Sequence, residues 1–144
     1  MDRRSGDRAG GPAQCPASGG TWTAPVNVST DVFGAATIGM DGSGNAIVVT
    51  SVYTSKLPAG GSTWSTPALL AAGSSPVAAG DAAGTFVVAL QAAAGPIAYT
   101  SPPGGGFGAA TAFPATDTIS GLTMVSGRAI LILSPGGVSA ETVS

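Results

Sequence analysis

The sequence contains no histidine and a single cysteine, Cys15, among its 144 residues. A lone cysteine excludes an intramolecular disulfide. The lack of histidine excludes a Cys/His metal site and every catalytic triad that uses histidine. We interpret Cys15 first as an apolar or exposed position of the fold and second as a reactive thiol.

Charge is also scarce, at 8% of the residues against about 25% in a typical soluble domain. Beyond residue 8 the only basic residues are Lys56 and Arg128. No basic patch could neutralise several phosphates, so the sequence predicts no nucleic-acid partner. The longest apolar run, 129–133, has the length of a strand and not the roughly 18 residues of a membrane span, so no membrane partner is predicted.

The first twelve residues, MDRRSGDRAGGP, differ from the rest because they are polar and charged. They lack the apolar central region of a secretion signal. We therefore expect residues 1–12 to be a disordered or non-native leader and place the folded domain at 13–144.

What the chain does contain is a recurring turn with an aromatic residue at its end. It reads PASGGTW at 16–22, PAGGSTW at 58–64 and, more weakly, PPGGGF at 102–107. The aromatic residues Trp22, Trp64 and Phe107 are 42 and 43 residues apart. Self-similarity at such a period is typical of repeat architectures.

Each repeat contains four short runs that are predicted as strands. The first is half-polar, and the proline that follows the tryptophan by three residues favours an edge strand, because proline cannot donate to a ladder. The third is apolar and β-branched, which favours a strand buried on both faces. In chain order the runs are 22–29, 36–41, 46–49 and 52–57, then 64–70, 76–81, 86–90 and 96–101, then 107–113, 119–124, 129–133 and 138–143.

The turns before the apolar runs share a glycine at one place, namely Gly44, Gly84 and Gly127. A glycine fixed at one place predicts a hairpin turn with positive φ. Asp41 begins the first of these turns and Asp81 the second, whereas Met124 stands in that place in the third.

Four strands in about 42 residues, with one aromatic residue per unit, predict an all-β fold of β-propeller-type blades. The alternatives are a β-sandwich, which predicts no such repeat, and β-prism or β-solenoid repeats. The pattern gives three four-stranded repeats with one blade split between the chain ends, since 22–29 could complete a blade begun by 119–143. Three blades cannot close a ring, whose usual range is about four to eight. We therefore expect either a homodimer that forms a six-bladed ring or a pairing with further blades of a longer chain.

These repeats resemble those of secreted bacterial β-propeller arrays, especially actinobacterial ones, over roughly residues 13–143. The residues that carry the resemblance are DGSGNAIVV at 41–49 and PAGGSTW at 58–64. The Gly-x-Thr-Trp end is also distantly similar to the sialidase Asp-box, but the aspartate of the box would fall at Ala17 and Ala59. The resemblance implies a propeller fold and a secreted or cell-surface location, and it implies hardly any activity.

Two kinds of candidate site remain. The oxygen-bearing residues of 41–45 could begin a calcium loop, but the later glutamate of such a loop is missing, so a hairpin turn without metal is predicted. The aromatic residues could stack on sugar rings or pack between blades, and Tyr residues at a blade seam could bind ligand. The candidate ligand-binding residues are Trp22, Trp64, Phe107, Tyr53 and Tyr99.

The leading functional hypothesis is a non-enzymatic, lectin-like binding module with a glycan as its ligand and with no cofactor. The second is a structural or protein-interaction scaffold without a small ligand. A glycosidase-like enzyme is the third and is disfavoured. Asp117 and Glu141 are the only carboxylates of the last repeat, and the arginine cluster of sialidases is lacking.

Overall fold

The structure of the chain is a computed structural model that describes residues 24–28, 35–125 and 127–134, and the backbone of residues 139–143. Within these ranges there are eleven β-strands and no helix. They are β1 (Thr37–Met40), β2 (Ala46–Val49), β3 (Tyr53–Leu57), β4 (Ala68–Leu69), β5 (Ser74–Gly80), β6 (Phe86–Ala92), β7 (Gly95–Ser101), β8 (Thr111–Ala112), β9 (Ile119–Val125), β10 (Arg128–Leu133) and β11 (Ser139–Val143). The predicted all-β class is confirmed for the described residues.

The strands form three antiparallel sheets, each a meander of strands that follow one another in sequence. The first sheet is β1-β2-β3-β4, the second is β5-β6-β7-β8, and the third is β9-β10-β11. Each sheet therefore combines the last three runs of one predicted repeat with the first run of the next, and the third sheet has three strands in the described part. The described strands form an open series of sheets, with no closed ring or barrel.

The hairpins between the first and second strands of each sheet contain the predicted glycines. Gly44, Gly84 and Gly127 have φ values of 88°, 95° and 77°. Residues with a Cβ adopt this region only at a cost, so the predicted hairpin role of these glycines is confirmed.

The third hairpin is shorter than the other two. Met40 pairs with Ala46, and Met124 pairs with Ala129 at the same place of the third sheet. Val125 and Arg128 then pair across a two-residue turn. The prediction that Met124 replaces the turn aspartate was wrong, because Met124 is a ladder residue and the third turn has no place for that aspartate.

The outermost strands are much shorter than predicted. The expected runs 64–70 and 107–113 contribute only β4 and β8, of two residues each. Pro67 directly precedes β4 and has no N–H to donate, so the ladder cannot extend through it. An edge strand of this length presents few unpaired backbone groups to other chains.

The strand β6 lies at the centre of the packing, because both of its faces are covered. Phe86 and Val88 pack against Ile47 and Val49 of the first sheet. Val87 and Ala89 point to the other face, where they pack against the third sheet. The latter cluster contains Ala98, Ala129, Leu131 and Leu133, with Val77, Phe113, Ile119, Leu122 and Met124 at its border. The prediction that the apolar run 86–90 is buried on both faces is confirmed.

Each sheet thus has two distinct faces. In each sheet, the following face is the one directed toward the next sheet in chain order, and the preceding face is the opposite one. The preceding face of the first sheet and the following face of the third therefore have no neighbouring sheet among the described residues. Because side chains alternate along a strand, Val48 lies on the preceding face of the first sheet and Ile132 on the following face of the third. These are the two end faces of the series.

The first strands of the sheets, β1, β5 and β9, lie side by side and approach closely. The backbone N–H of Gly42 donates to the carbonyl of Asp81 at 3.0 Å. A Cβ on Gly80 would lie 2.7 Å from the carbonyl oxygen of Met40, and one on Gly39 would lie 3.1 Å from Ala78 Cβ. Glycine at these two positions allows the innermost strands to pack backbone against backbone.

Several predictions from the sequence lie wholly or partly outside the described residues. Cys15, Trp22 and the leader 1–12 lie wholly outside. Of the predicted strand 22–29 only 24–28 are described, and they do not pair in a ladder. Pro25 lies in this segment and cannot donate a ladder hydrogen bond. The split blade is therefore not observed in the described part of the chain.

The close approach of β1 and β5 predicts a specific sensitivity to added volume. Gly80→Ala should destabilise the fold by about 1–3 kcal/mol, because the new methyl group meets backbone that cannot move aside cheaply. The matched control is Gly121→Ala, where the nearest atom to the new Cβ is Ile132 Cδ1 at 4.0 Å. The control should be neutral or slightly stabilising, since alanine is favoured over glycine within a strand. Urea unfolding measures both, and equal effects of the two substitutions would refute the close packing.

Candidate functional site

The seam between the first and second sheets contains a lysine. Lys56 lies on β3, where it pairs with Ile47, and its side chain points from the following face of the first sheet toward the second. Its Nζ donates hydrogen bonds to Ser101 Oγ and to the carbonyl of Gly105, both at 2.8 Å. Ser101 is fully buried and donates in turn to the Gly105 carbonyl at 2.9 Å. Both partners of the ammonium are neutral oxygens.

Two aromatic rings complete the surroundings of the ammonium. Lys56 Nζ lies 5.2 Å from the ring centroid of Phe107 and 5.9 Å from that of Phe86. These distances are within the range of cation–π attraction. Partial burial lowers the pKa of Lys56, because desolvation disfavours the charged amine.

Two crevices open along this seam, one on each side of Lys56. The turn-side crevice has a volume of about 320 Å³ and is lined by Asn45, Ala46, Lys56, Leu57, Pro58, Gly84, Phe86, Gly104 and Gly105. The edge-side crevice also has a volume of about 320 Å³ and is lined by Thr54, Lys56, Ser65, Ala68, Leu69, Leu70, Gly105, Gly106 and Phe107. Volumes of this size are at the lower end of those of small-molecule sites.

The structure brings together two of the five predicted ligand-binding residues. Phe107 lines the edge-side crevice, and the ring of Tyr99 meets it edge to face, with centroids 6.4 Å apart and planes at 80°. Phe107 also packs against the hydrophobic cluster between the first two sheets, so it contributes to the core as well. The geometry is that of a favourable aromatic pair at a seam.

The other predicted residues are not at this seam or are not described. Tyr53 borders a small space beside Val28, Val48 and Pro67, on the preceding face of the first sheet. Trp64 is half-buried and directly precedes Ser65 of the edge-side crevice. Trp22 lies outside the described residues. The five aromatic residues therefore do not form one site.

From the sequence, Lys56 was noted only as one of two basic residues beyond residue 8, and its place in the seam between the first two sheets was not predicted. A signal was present in the alternation of β3, because Tyr53, Ser55 and Leu57 share one face and Thr54 and Lys56 share the other. Lys56 must therefore point into the seam if both faces of the sheet are covered. What the alternation could not provide is the identity of its partners, which lie 45 and 49 residues away in sequence.

The turn carboxylates are occupied by their own turns. Asp41 Oδ1 accepts hydrogen bonds from the backbone N–H groups of Ser43 and Asn45, at 2.9 and 2.8 Å, and Oδ2 accepts one from Asn45 Nδ2 at 2.6 Å. The amide oxygen of Asn45 accepts from the N–H of Ala59 at 2.8 Å. These contacts are those of a hydrogen-bonded turn, in which Asp and Asn side chains fix the backbone. The hairpin interpretation therefore accounts for the described contacts of Asp41, and Asn45 in addition links this hairpin to the turn that contains Ala59.

No group of three or more histidine, cysteine, aspartate or glutamate residues that could hold a metal ion is found in the part of the chain that is described. Asp117 is buried, and the hydroxyl of Thr116 lies 3.4 Å from its Oδ1. Glu141 lies on β11 opposite Leu131.

Comparisons with known proteins identify no relative. No protein-family model, no curated protein and no solved structure matches the chain. Among the described residues there is no helix long and apolar enough to cross a membrane.

The second turn predicts a dependence of stability on pH. Asp81 Oδ1 accepts hydrogen bonds from the N–H groups of Thr85 and Ala83, at 2.8 and 2.9 Å. These hydrogen bonds hold the pKa of Asp81 below its ordinary value of 3.8, and the one from Thr85 has the largest effect. A carboxylate with a lowered pKa stabilises the fold above its unfolded-state pKa, and this contribution disappears as the pH falls through the folded-state value.

The variant Asp81→Asn keeps an acceptor oxygen but does not titrate. We compare the free energies of unfolding of the two proteins. The unmodified chain minus the variant should be highest above pH 3.8, and this difference should fall as acidification protonates Asp81. Urea unfolding of both proteins at a series of pH values measures this difference. A difference that stays constant through that range would show that the turn hydrogen bonds do not favour the charged form.

Proposed function

We propose that the chain is a non-enzymatic interaction module made of β-propeller-type blades, whose end faces join it to further blades. The observation that carries the proposal is the repeated packing of the following face of one sheet on the preceding face of the next. It occurs between the first and second sheets and again between the second and third. The same register positions make both contacts, which is typical of blades around a common axis.

The preceding face of the first sheet supports the proposal because its inner part is exposed. Ile38 and Met40 lie there, opposite Val48 and Ala46, and are 52% and 59% exposed. The equivalent residues of the second sheet, Ala78 and Gly80, pack against the first sheet. Large exposed apolar side chains at positions that are covered elsewhere in the repeat indicate a missing neighbour.

Segment 24–28 approaches the outer part of the same face through Val28, whereas residues 24–27 are exposed. Val28 borders the small space beside Val48, Tyr53 and Pro67. Leu70 and Phe113 occupy the equivalent places of the next two repeats, since each lies six residues after the repeat aromatic residue. Leu70 packs in the seam between the first and second sheets, and Phe113 in that between the second and third. In the proposed assembly, segment 24–28 would provide the outermost strand of a blade that precedes the first sheet.

The partner that fits these faces is a second copy of the chain. The third sheet has three described strands and an open following face, with Ile130 and Ile132 half-buried and Val125 exposed. Placed on the first sheet of another copy, it would cover Ile38 and Met40 and meet segment 24–28 as its fourth strand. Two copies related in this way give six blades, within the usual range of about four to eight. Further blades of a longer polypeptide are the alternative occupant.

A second candidate function is the binding of a small polar ligand, and a glycan is the class predicted from the sequence. The observation that favours it is the pair of crevices at Lys56, in which hydroxyl groups, a cation and the ring of Phe107 lie together. A few placed polar groups in a largely apolar cleft are typical of ligand sites. A glycosidase-like activity has no comparable support, and the secreted location implied by the family resemblance stays a prediction.

The blade proposal predicts that self-association depends on the exposed inner face. Sedimentation equilibrium of the unmodified chain should give twice the monomer mass of 13.7 kDa. Met40→Lys should give the monomer mass, because it places a charge in the apolar contact. Its fold should be retained, because Met40 is 59% exposed within the single chain.

The matched control is Ala109→Lys, which adds the same charge at an exposed position before β8. It should remain dimeric. A monomeric unmodified chain that still melts cooperatively would overturn the assembly, and loss of the dimer in both variants would show only a general effect of charge.

If the chain binds a glycan, it should bind on a glycan array, or its tryptophan fluorescence should change when sugars are added. Trp64→Ala separates the two roles of the repeat aromatic residue. Loss of binding with an unchanged circular dichroism spectrum would place Trp64 at the site, and loss of folding would place it in the core. No binding by the unmodified, folded chain on the array would remove this candidate and leave the blade proposal untouched.

A further inference from the structure

Lys56 has more donors than the acceptors that the structure provides. A lysine ammonium has three N–H donors. The described residues supply two acceptors, Ser101 Oγ and the Gly105 carbonyl. Lys56 lines both crevices, so the remaining donor direction borders space that a ligand could fill.

Blade packing does not require a lysine at this place. Lys56 pairs with Ile47 in the first sheet, and Thr100 holds the corresponding place opposite Val87 in the second. The seam between the second and third sheets therefore packs with a threonine where the first seam has a cation. Because partial desolvation of an ammonium is unfavourable, a residue that only packs would not need the charge. The first seam therefore differs from the second by a cation that packing alone does not require.

The two crevices differ in their electrostatic surroundings. Gly84 lines the turn-side crevice, and a Cβ on Gly84 would lie 3.5 Å from Asp41 Oδ2. Asp41 does not line that crevice itself, but its carboxylate lies next to a lining residue, so the turn-side crevice is the less favourable place for an anion. The edge-side crevice has no carboxylate in its lining, which includes Thr54 and Ser65. The Ser65 hydroxyl already accepts a hydrogen bond from the backbone N–H of Lys56 at 2.9 Å. Of the two, the edge-side crevice is the one suited to a negatively charged group.

The edge-side crevice also has the shape and chemistry for a small sugar-sized molecule. Its wall includes Gly105 and Gly106, and a Cβ on Gly106 would have no neighbour within 4 Å, so the wall is open there. The ring of Phe107 supplies an apolar surface beside the ammonium. A volume of about 320 Å³ suits one ring rather than a long chain.

We infer that the edge-side crevice binds a small carboxylate-bearing ligand of the uronic-acid class, with its carboxylate on Lys56 Nζ and its ring against Phe107. The inference rests on the ligand-binding candidate proposed above and names the charge of the ligand. It does not depend on the assembly of blades into a ring.

Isothermal titration calorimetry and NMR titration of the ¹⁵N-labelled chain with glucuronate test this site. Glucose serves as the neutral sugar of similar shape, and acetate serves as a carboxylate without a ring. Glucuronate should shift the amide signals of Gly105 and Gly106, and it should bind more tightly than either of the other two. Lys56→Met keeps the apolar stem and removes the charge, and it should weaken glucuronate binding by at least about tenfold. Lys56→Arg should restore part of the affinity, because the cation is retained.

Arg128→Met is the control for charge in general, since Arg128 is exposed on the third sheet. It should leave glucuronate binding unchanged. Equal binding of glucuronate by the unmodified chain and by Lys56→Met would overturn the site, as would absence of binding by the folded chain. Equal binding of glucose and glucuronate would overturn the charge preference while the glycan candidate stands. If Lys56→Met fails to fold, Phe107→Leu provides the second test, and unchanged glucuronate affinity in that variant would contradict the assignment.

Discussion

The whole arrangement depends on the burial of β6 on both of its faces. Successive side chains of a strand point to opposite sides, so five consecutive apolar residues, Phe86 to Leu90, require a neighbour on each side. The first sheet covers one side through Ile47 and Val49, and the third covers the other through Leu131 and Leu133. One isolated repeat could not satisfy this strand, which is why the repeats fold together.

The same constraint explains the ends of the series and the chemistry between its members. A sheet with apolar side chains on two faces needs two neighbours, and the end sheets each have one among the described residues. The exposed Ile38 and Met40 are the visible consequence. Between the first two sheets the seam is not wholly apolar, because Lys56 is held there by Ser101, Gly105 and two aromatic rings. The fold thus separates the faces that could join blades from the seam that could bind a ligand.

Much of the fold could be predicted because it depends on local rules that repeat. The glycines of positive φ follow from backbone geometry, and the apolar strands follow from the hydrophobic pattern. Because the pattern repeats at a fixed period, each repeat supported the interpretation of the other two. The ends of β4 and β8 could not be predicted, because β4 begins only after Pro67, which has no N–H to donate, and the pattern of residues does not show where pairing with the neighbouring strand stops. The one-residue shortening of the third turn was missed because Gly127 keeps its place while the register around it changes. The Lys56 site was missed because its partners come from the next repeat, and long-range contacts leave no periodic signal.

Native-state hydrogen exchange of the β6 amides tests whether this strand lies at the centre of the packing. We predict that the amides of Val87 to Leu90 exchange only through global unfolding, whatever the oligomeric state, because both faces of β6 are covered and both of its edges are paired. Exchange of these amides by local opening, faster than those of β2 or β10, would contradict the packing of three sheets around this strand.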